Sequence, residues 1–356
     1  MRQNFKFEGS IFLNFEKRLV FIALAFVLSF AVFRQINSQD NSILSPVPIN
    51  KREAFFDAKK KLTGNDYWQP QGAGSSENVE NLPQIRAGAV IDEDSGKVLW
   101  SSNLNEKIAP ASLSKLATVI TALDLASENE LLVVSKNASE QIPTKLGLRE
   151  KERLTLSEAI AGAILTSAND ATEVIADDLG KRAGSGTTTF MQLVNEKLKK
   201  IGAANTRLET ATGLDSVNHY STVYDLAIIA NDAKTNYPLI AKIAASEYLR
   251  LDANANHKLF DLPNWNALLG TYPGVDGLKI GYTEEAGHAT IVTASREGKN
   301  LMAIVVGANS IEDREIAAAA LLNYGFSGLG IEPYPVENID LVKRFEDWRR
   351  QLSYAY

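Results

Sequence analysis

The hydrophobic and polar positions divide the chain into an apolar run, a polar stretch and a long patterned region. The apolar run, residues 19–33, carries no charge and has basic residues on both sides. Basic residues before such a run keep the N-terminus in the cytoplasm. The pattern predicts a single-pass membrane anchor at 19–34, with residues 1–18 in the cytoplasm and the rest of the chain exported. The run is shorter than the roughly 20 residues that usually span a bilayer, although flanking Lys and Arg can snorkel.

Two alternatives for this run stay open. Its Ser29-Phe30-Ala31 fits the small-x-small pattern of a cleavage site, which would make the run a removable signal peptide and the mature protein a secreted one. The other alternative is a buried core helix, which the absence of a polar face argues against.

A polar tether and the start of a folded domain follow the apolar run. Residues 35–84 are rich in Asn, Ser, Gln, Pro, Gly and charge, which predicts a tether. The domain is expected over residues 85–330. It opens with strand patterns at 87–92 and 97–100 around a Glu-Asp-Ser-Gly turn, which is the signal of a β-hairpin.

The rest of the domain alternates between helical and strand patterns. Apolar residues at helical spacing dominate from about 109 to 245. After this region, three strands are predicted at 277–283, 289–294 and 301–306. A helix is predicted to follow them at 311–324. Strands at both chain ends with helices between them predict an α+β fold, in which one antiparallel sheet packs against a helical insertion.

Composition excludes several kinds of chemistry. The chain has 356 residues, a net charge of −6 and no cysteine, so it can bury a sizeable core and can form neither disulfides nor thiolate sites. The acidic balance argues against nucleic acid as a partner. Its three histidines, His219, His257 and His288, lie far apart and never at a metal-ligand spacing, so we expect no metal and no cofactor.

The first candidate for chemistry is Ser112-Leu113-Ser114-Lys115. A proline precedes it and apolar residues at helical spacing follow it, so Ser112 is expected to open a helix. Residues three apart share a helix face, which puts the Lys115 amine within reach of the Ser112 hydroxyl. The pattern therefore offers either a nucleophile beside a base or a helix-capping serine near a solvated lysine.

The second candidate, Ser167-Ala168-Asn169, interrupts a helical pattern in the middle of the domain. Unpaired hydroxyl and amide groups in the middle of a domain are unfavourable, so the Ser167 and Asn169 side chains are expected to have hydrogen-bond partners or a functional role. A cap between helix and turn is the alternative interpretation.

The third candidate is the strand Gly277-Leu278-Lys279-Ile280-Gly281-Tyr282-Thr283. A glycine beside the lysine allows another backbone or a ligand to approach closely. An exposed edge strand with a solvated lysine is the alternative.

Together and in this order, the three motifs resemble the penicillin-recognising serine enzymes with their Ser-x-x-Lys, Ser-x-Asn and Lys-Thr-Gly motifs. Further stretches narrow the resemblance to the D-alanyl-D-alanine carboxypeptidases, the low-molecular-mass penicillin-binding proteins. These stretches lie at 91–99, 110–112, 167–171, 212–215, 219–222 and 274–279. The resemblance covers roughly residues 85–326 and implies a β-lactamase/transpeptidase-like fold.

The resemblance also implies roles for the motif residues. Ser112 would be the acylated nucleophile, Lys115 would accept its proton, and Ser167 would pass a proton to the leaving D-alanine. Asn169 would bind the amide backbone of a peptidoglycan stem peptide, and β-lactam antibiotics would act as acylating inhibitors. The sequence supports a lysine base, since no histidine is placed for this task and burial beside a second cation, Lys279, would disfavour the ammonium form.

The resemblance also implies that the substrate binds along the Lys279 strand. The backbone N–H groups of Ser112 and Tyr282 would hold the oxyanion, each worth about 3 kcal/mol. The peptide would add as a strand along Lys279, Gly281, Tyr282 and Thr283.

Two departures from the family pattern affect this expectation. The family's Lys-Thr-Gly is here Lys279-Ile280-Gly281, which lacks the hydroxyl that would bind the terminal carboxylate of the substrate. We therefore predict that Arg314, placed where family members have a carboxylate-binding arginine, takes this task; a surface arginine paired with Asp313 or Glu312 is the alternative. Many family members also carry a second, all-β domain, whereas here a tail of residues 331–356 follows.

That tail predicts a basic amphipathic helix around 341–352. Such a helix could lie on an anionic membrane face or dock on its own domain, the second being favoured.

The sequence thus predicts a bacterial, membrane-tethered serine D-Ala-D-Ala carboxypeptidase with an extracytoplasmic catalytic domain. Three alternatives remain. A D,D-endopeptidase would use the same residues. A serine β-lactamase would need a carboxylate to activate the deacylating water, for which Glu209 is the one glutamate roughly in the right interval. The third alternative is a non-catalytic wall-binding module that keeps the fold but has lost turnover. It is suggested by Ile280, which replaces the threonine of the family motif.

Overall fold

The described part of the chain forms one main sheet from strands near the beginning and near the end of the predicted domain. The computed structural model describes residues 67–353, so the predicted membrane segment 19–33 and most of the predicted tether lie outside the described residues. Among the helices of the described part, none combines the length and apolar character needed to cross a bilayer.

The main sheet has five antiparallel strands in the order β2-β1-β9-β8-β7. Its strands are β1 Ala87–Asp92, β2 Val98–Ser102, β7 Val275–Thr283, β8 Gly287–Arg296 and β9 Lys299–Ala308. This arrangement confirms the predicted α+β fold with a sheet built from both chain ends. It also leaves β7, the strand that carries Lys279, at an edge of the sheet.

The two faces of the sheet bury two different apolar clusters. In β9, Met302, Ile304 and Val306 face the helical insertion, while Leu301 and Ala303 on the opposite face pack against a late helix. Side chains alternate between the faces of a strand, and here both alternating sets are apolar because both faces are covered.

The helical insertion lies between β2 and β7. A 3-10 turn, Ala111–Ser114, leads into its first helix. The helices are α1 Lys115–Leu125, α2 Lys136–Ser139, α3 Leu156–Leu165, α4 Asn169–Ala183, α5 Thr187–Ile201, α6 Val223–Asn236 and α7 Pro238–Ala244. Thr155 and Glu158 start α3 with a reciprocal capping box, which satisfies two otherwise unpaired N–H groups.

Two further helices follow the sheet. Helix α8, Ile311–Gly328, covers the second sheet face, and the Ser310 hydroxyl caps it by accepting from the Asp313 N–H. Helix α9, Leu341–Ser353, comes from the predicted basic tail and lies beside a small two-stranded sheet, β5 Tyr248–Leu251 and β6 Phe260–Pro263. The other small sheet pairs β3 Leu131–Val133 with β4 Arg153–Thr155.

The last part of the predicted tether belongs to the folded domain. Gln71 and Ser75 form parallel bridges to Lys97 and Trp100 on the edge strand β2. Val79 is buried in the cluster beneath α8. The assignment of a tether up to residue 84 is therefore corrected. Its polar composition conceals a segment that covers an otherwise open sheet edge, which natural sheets commonly protect.

Candidate active site

The Ser112 hydroxyl and the Lys115 amine lie side by side at the start of α1. Lys115 Nζ is 2.7 Å from Ser112 Oγ, as the three-residue spacing predicts. The tight 3-10 turn is closed by the Ser114 hydroxyl, which donates to the Ala111 carbonyl at 2.9 Å. Ser112 therefore does not serve as the cap of this helix, and the lysine is not solvated.

Burial determines the state of Lys115. Its side chain is 0% exposed, and its amine also lies within hydrogen-bond distance of Asn169 Oδ1 and the Thr212 carbonyl. Burial disfavours the ammonium form and lowers the pKa of Lys115 to about 7. A large fraction of this lysine is therefore a neutral amine near neutral pH, able to accept a proton.

Ser167 lies in the short break between α3 and α4. Its backbone has φ of +57°, a left-handed conformation that is uncommon outside glycine. Its carbonyl accepts from the Thr144 hydroxyl at 2.9 Å, which holds the break in place. The Ser167 hydroxyl is buried and has no partner among residues 67–353, so it is not a helix cap.

Asn169, the first residue of α4, connects the second motif to the first. Its Oδ1 accepts from Lys115 at 2.9 Å, and its Nδ2 donates to the Ile142 carbonyl at 3.0 Å. The next residue, Asp170, accepts from the N–H groups of residues 146–148 at 2.8 to 3.0 Å. Sequence analysis missed this loop-fixing role of Asp170, although an acidic residue in the first turn of a helix beside Ser-x-Asn is a usable signal.

Lys279 on β7 is also buried, at 1% exposure, and donates to the Ile280 carbonyl at 2.9 Å. Burial, followed by repulsion from Lys115 and Arg314, holds its pKa well below the usual range of a lysine. The pKa of Lys115 is lowered by burial alone. The expected repulsion between the two lysines therefore shows only in the lowered pKa of Lys279. The alternative of a solvated lysine on this strand is wrong.

A cleft of about 600 Å³ collects most of the predicted residues. Ser112, Ser167, Asn169, Ile280, Tyr282, Thr283 and Arg314 line it. Lys115, Lys279 and Gly281 are not among the lining residues, although Lys115 contacts both Ser112 and Asn169 and Gly281 lies close to Ser112. A larger cavity, about 830 Å³, lies between residues 78–81 and 323–337 and contains none of the predicted site residues.

Arg314 is buried rather than exposed, with 3% of its surface accessible. Its Nε and Nη2 are bonded to Glu315 Oε1, and Nη2 also lies 3.4 Å from the Trp265 carbonyl. The alternative of a surface arginine paired with Asp313 or Glu312 is therefore wrong. Nη1 makes no hydrogen bond with the described residues, which leaves one guanidinium nitrogen for a ligand.

Several cleft residues were missed by sequence analysis. Trp265, Phe345 and Trp348 line the cleft from segments without a recognised motif. His288 on β8 packs against its cross-strand neighbour Tyr282, with the two rings tilted and their centroids 4.5 Å apart. The pattern of alternating residues could have paired these two strands, but it could not have brought α9 to the cleft.

Glu209 is not among the residues that line the cleft. Its carboxylate accepts from the Ser216 hydroxyl and lies 3.6 Å from Arg207. The hydrogen bond from Ser216 is the main reason that its pKa is lowered. The β-lactamase alternative therefore gains no support from Glu209, whose carboxylate does not line the cleft.

The comparisons with known proteins agree with this geometry. The family model described as D-alanyl-D-alanine carboxypeptidase, peptidase S11, matches residues 76–310. The chain belongs to this family. The matched segment contains the Ser112, Ser167 and Lys279 motifs and stops just before α8.

Curated relatives have the same family name. The chain is 31% identical over 267 residues to D-alanyl-D-alanine carboxypeptidase DacF of Bacillus subtilis, covering 73% of this chain and 67% of the relative. It is 30% identical to DacA of Escherichia coli K12 over 265 residues, covering 70% of this chain and 62% of the relative. The chain thus spans about two thirds of the length of the curated relatives it matches.

Solved structures show the same fold. The DD-transpeptidase of Streptomyces K15 matches with a TM-score of 0.64 and 24% identity, over 69% of this chain and 99% of the other. Penicillin-binding protein D2 of Listeria monocytogenes, in an ampicillin-bound form, matches with a TM-score of 0.59 and 29% identity, over 70% of this chain and all of the other.

Proposed function

We propose that this protein is a serine-type D-Ala-D-Ala carboxypeptidase that removes the terminal D-alanine from peptidoglycan stem peptides. The observation that carries the proposal is the buried Ser112–Lys115 pair, with 2.7 Å between hydroxyl and amine and a lysine pKa of about 7. A hydroxyl becomes a good nucleophile when a neutral base beside it can accept its proton.

Acylation begins when neutral Lys115 takes the proton of Ser112 as its oxygen attacks the carbonyl carbon of the penultimate D-alanine. The tetrahedral oxyanion is held by the N–H groups of Ser112 and Tyr282. The C–N bond then breaks, and the leaving nitrogen of the terminal D-alanine receives a proton through Ser167. The unpartnered Ser167 hydroxyl in the cleft supports this relay.

Deacylation reverses the proton traffic. Water loses a proton to Lys115 while its oxygen attacks the ester carbonyl, and the Ser112 oxygen leaves with a proton returned by the lysine. The shortened peptide is released as a carboxylic acid. Acid and base functions thus alternate on a group whose pKa of about 7 suits both.

Peptide binding follows from the position of β7 at the edge of the sheet. A strand edge offers free N–H and C=O groups, and an extended peptide can add to it. Asn169 supplies an amide to the peptide backbone. Arg314 holds the terminal carboxylate, while Ile280 forms the wall where the family has a threonine.

The proposal is tested by exposing the protein to a penicillin and measuring its mass. A covalent adduct should form on Ser112 and be absent in Ser112→Ala. A time course on a peptide ending in D-Ala-D-Ala should then release D-alanine. Release of D-alanine distinguishes an enzyme from a non-catalytic wall-binding module. The wall-binding alternative is suggested by Ile280, which replaces the threonine of the family motif. Loss of the adduct within seconds would favour a β-lactamase, and an adduct on another residue would overturn the assignment.

We further propose that the catalytic domain is exported and held at the bacterial cell membrane by residues 19–33. The uncharged run and its basic flanks support this proposal. Substrate and enzyme would then occupy the same compartment, since peptidoglycan lies outside the membrane.

A further inference from the structure

The C-terminal helix α9 supplies part of the wall of the cleft. Phe345 and Trp348 are three residues apart on one face of this helix, with ring centroids 5.3 Å apart, and both line the cleft that contains Ser112. Both rings are half-buried. The family match ends at residue 310, so it does not account for this wall.

An ion pair between buried Arg344 and Glu247, whose side chain is 56% exposed, links the helix to the segment that contacts Arg314. Arg344 Nη1 is 2.7 Å from Glu247 Oε2, and the Arg344 side chain is only 6% exposed. The Glu247 carbonyl accepts from the Asn264 N–H at 2.9 Å. The carbonyl of the following residue, Trp265, contacts Arg314. The aromatic wall and the arginine are therefore positioned by the same short stretch of chain.

The apolar wall shares the cleft with Arg314, the residue proposed to hold the carboxylate of the leaving D-alanine. Ile311, one turn before Arg314 on α8, lines the cleft together with Trp265 and Ile280. With Phe345 and Trp348 they make five apolar side chains in the lining of a cleft to which Arg314 contributes its guanidinium. A terminal D-alanine, which has only a methyl group and a carboxylate, matches this combination of apolar surface and one cation.

We propose that the α9 wall is a specificity determinant that restricts the protein to leaving groups of one small residue. This inference rests on the proposed function of Ser112. A carboxypeptidase substrate ends one residue after the scissile bond. In an endopeptidase substrate the chain continues into a second stem peptide, which would have to pass Phe345 and Trp348. The wall therefore favours carboxypeptidase over endopeptidase activity.

The test compares a peptide ending in D-Ala-D-Ala with a cross-linked dimer, in which the D-alanine carboxyl is joined to a side-chain amine of a second peptide. The ratio of kcat/KM for the two is measured in the full-length parent and in Phe345→Ala/Trp348→Ala. The ratio of the two Kd values is measured by calorimetry in the same proteins carrying Ser112→Ala. Val342→Ala is the matched control, because Val342 is on the same helix but 69% exposed and outside the cleft.

We expect the preference for the shorter peptide to fall by about tenfold or more in the double variant and to stay at the parental value in Val342→Ala. Phe345→Leu and Trp348→Leu keep apolar side chains, so their preference for the shorter peptide should lie between those of the parent and the double variant. Thermal unfolding of each variant checks that it is folded. An unchanged preference in a folded double variant, or an equal fall in Val342→Ala, would overturn the inference. If the parent forms no acyl-enzyme while the Kd ratio still falls, the proposed function fails and the wall stands.

Discussion

Gly281 approaches the backbone of Ser112 so closely that any side chain at this position would force its neighbours to shift. A Cβ atom on Gly281 would be 3.0 Å from the Ser112 nitrogen and 3.3 Å from the Leu113 nitrogen. This contact joins the edge strand β7 to the turn that carries the nucleophile. It also brings the N–H groups proposed to hold the oxyanion to the same side of the cleft.

Gly281→Ala should therefore slow acylation of Ser112. The added methyl group would move β7 and the nucleophile apart by a few tenths of an ångström. Since a displacement of about 1 Å can cost about a hundredfold in rate, a loss of less than about a hundredfold is expected. Acylation by a penicillin, followed by mass spectrometry, measures this loss. Gly328→Ala is the matched control, since no atom lies within 4 Å of the added Cβ there. Equal rates in the two variants would show that the contact has no catalytic importance.

Lys115→Ala should abolish acylation while leaving the protein folded. Alanine is a good helix former, and the nucleophile loses the only amine that contacts its hydroxyl among the described residues. General-base catalysis typically contributes about 10²- to 10⁴-fold, so a loss in this range is expected. Acylation rate and thermal midpoint should be measured together. A rate within a few-fold of the parent would show that another group takes the proton.

Acylation should depend on pH through Lys115. The neutral amine is the active form, and its pKa of about 7 means that activity rises through neutral pH and falls below it. At pH 5 only about 1% of such a group is neutral, so the rate should be about a hundredfold lower than its plateau. A pH profile of the acylation rate checks this expectation. A rate that stays flat down to about pH 5 would contradict a lysine base.

The membrane anchor is tested by deletion of the first 36 residues. If residues 19–33 hold the protein, the shortened protein should move from the membrane fraction to the soluble fraction. Retention in the membrane would show that another part of the chain holds the protein there. A native N-terminus at Val32 would show that the run is a cleaved signal peptide.

The parts of the site that sequence analysis could predict are those fixed by local geometry. Ser112 and Lys115 meet because one helical turn separates them, whatever the rest of the chain does. The hairpin of β1 and β2 follows from two apolar runs around a Glu-Asp-Ser-Gly turn. The strand containing Lys279 follows from apolar residues on both sides of the lysine, between two glycines. That strands from both ends share one antiparallel sheet could be inferred, because such strands have few ways to bury their apolar faces. Their order within the sheet was not predicted.

The parts that sequence analysis missed depend on contacts between distant segments. Phe345 and Trp348 reach the cleft through the pairing of Arg344 with Glu247, almost a hundred residues earlier. The segment before β1 is as polar as a linker, yet it adds to the edge of β2 through backbone bridges that composition does not reveal. The short strands β5 and β6 have four residues each, too few for a clear alternation.

Arg314 provides the sharpest test of the carboxylate subsite. Arg314→Ala should lower kcat/KM on a peptide with a free D-Ala-D-Ala terminus by at least about tenfold, because a charge-assisted pair is typically worth about 1.5 to 3 kcal/mol. An analogue with an amidated terminus should be barely affected, and the two substrates are compared by steady-state kinetics. Equal losses on acid and amide would mean that Arg314 has a structural role.

The buried partner of Arg314 requires a second variant. Glu315 is 0% exposed, and removing the arginine leaves its carboxylate unpaired, which typically destabilises a protein by about 3 to 5 kcal/mol. Arg314→Ala/Glu315→Gln removes this charge, so its loss on the free acid reports the subsite rather than the fold. Ile280→Thr, which restores the hydroxyl of the family motif in the same cleft, should partly rescue this double variant on the acid and not on the amide. If Ile280→Thr does not rescue the double variant, Ile280 is not part of the carboxylate subsite.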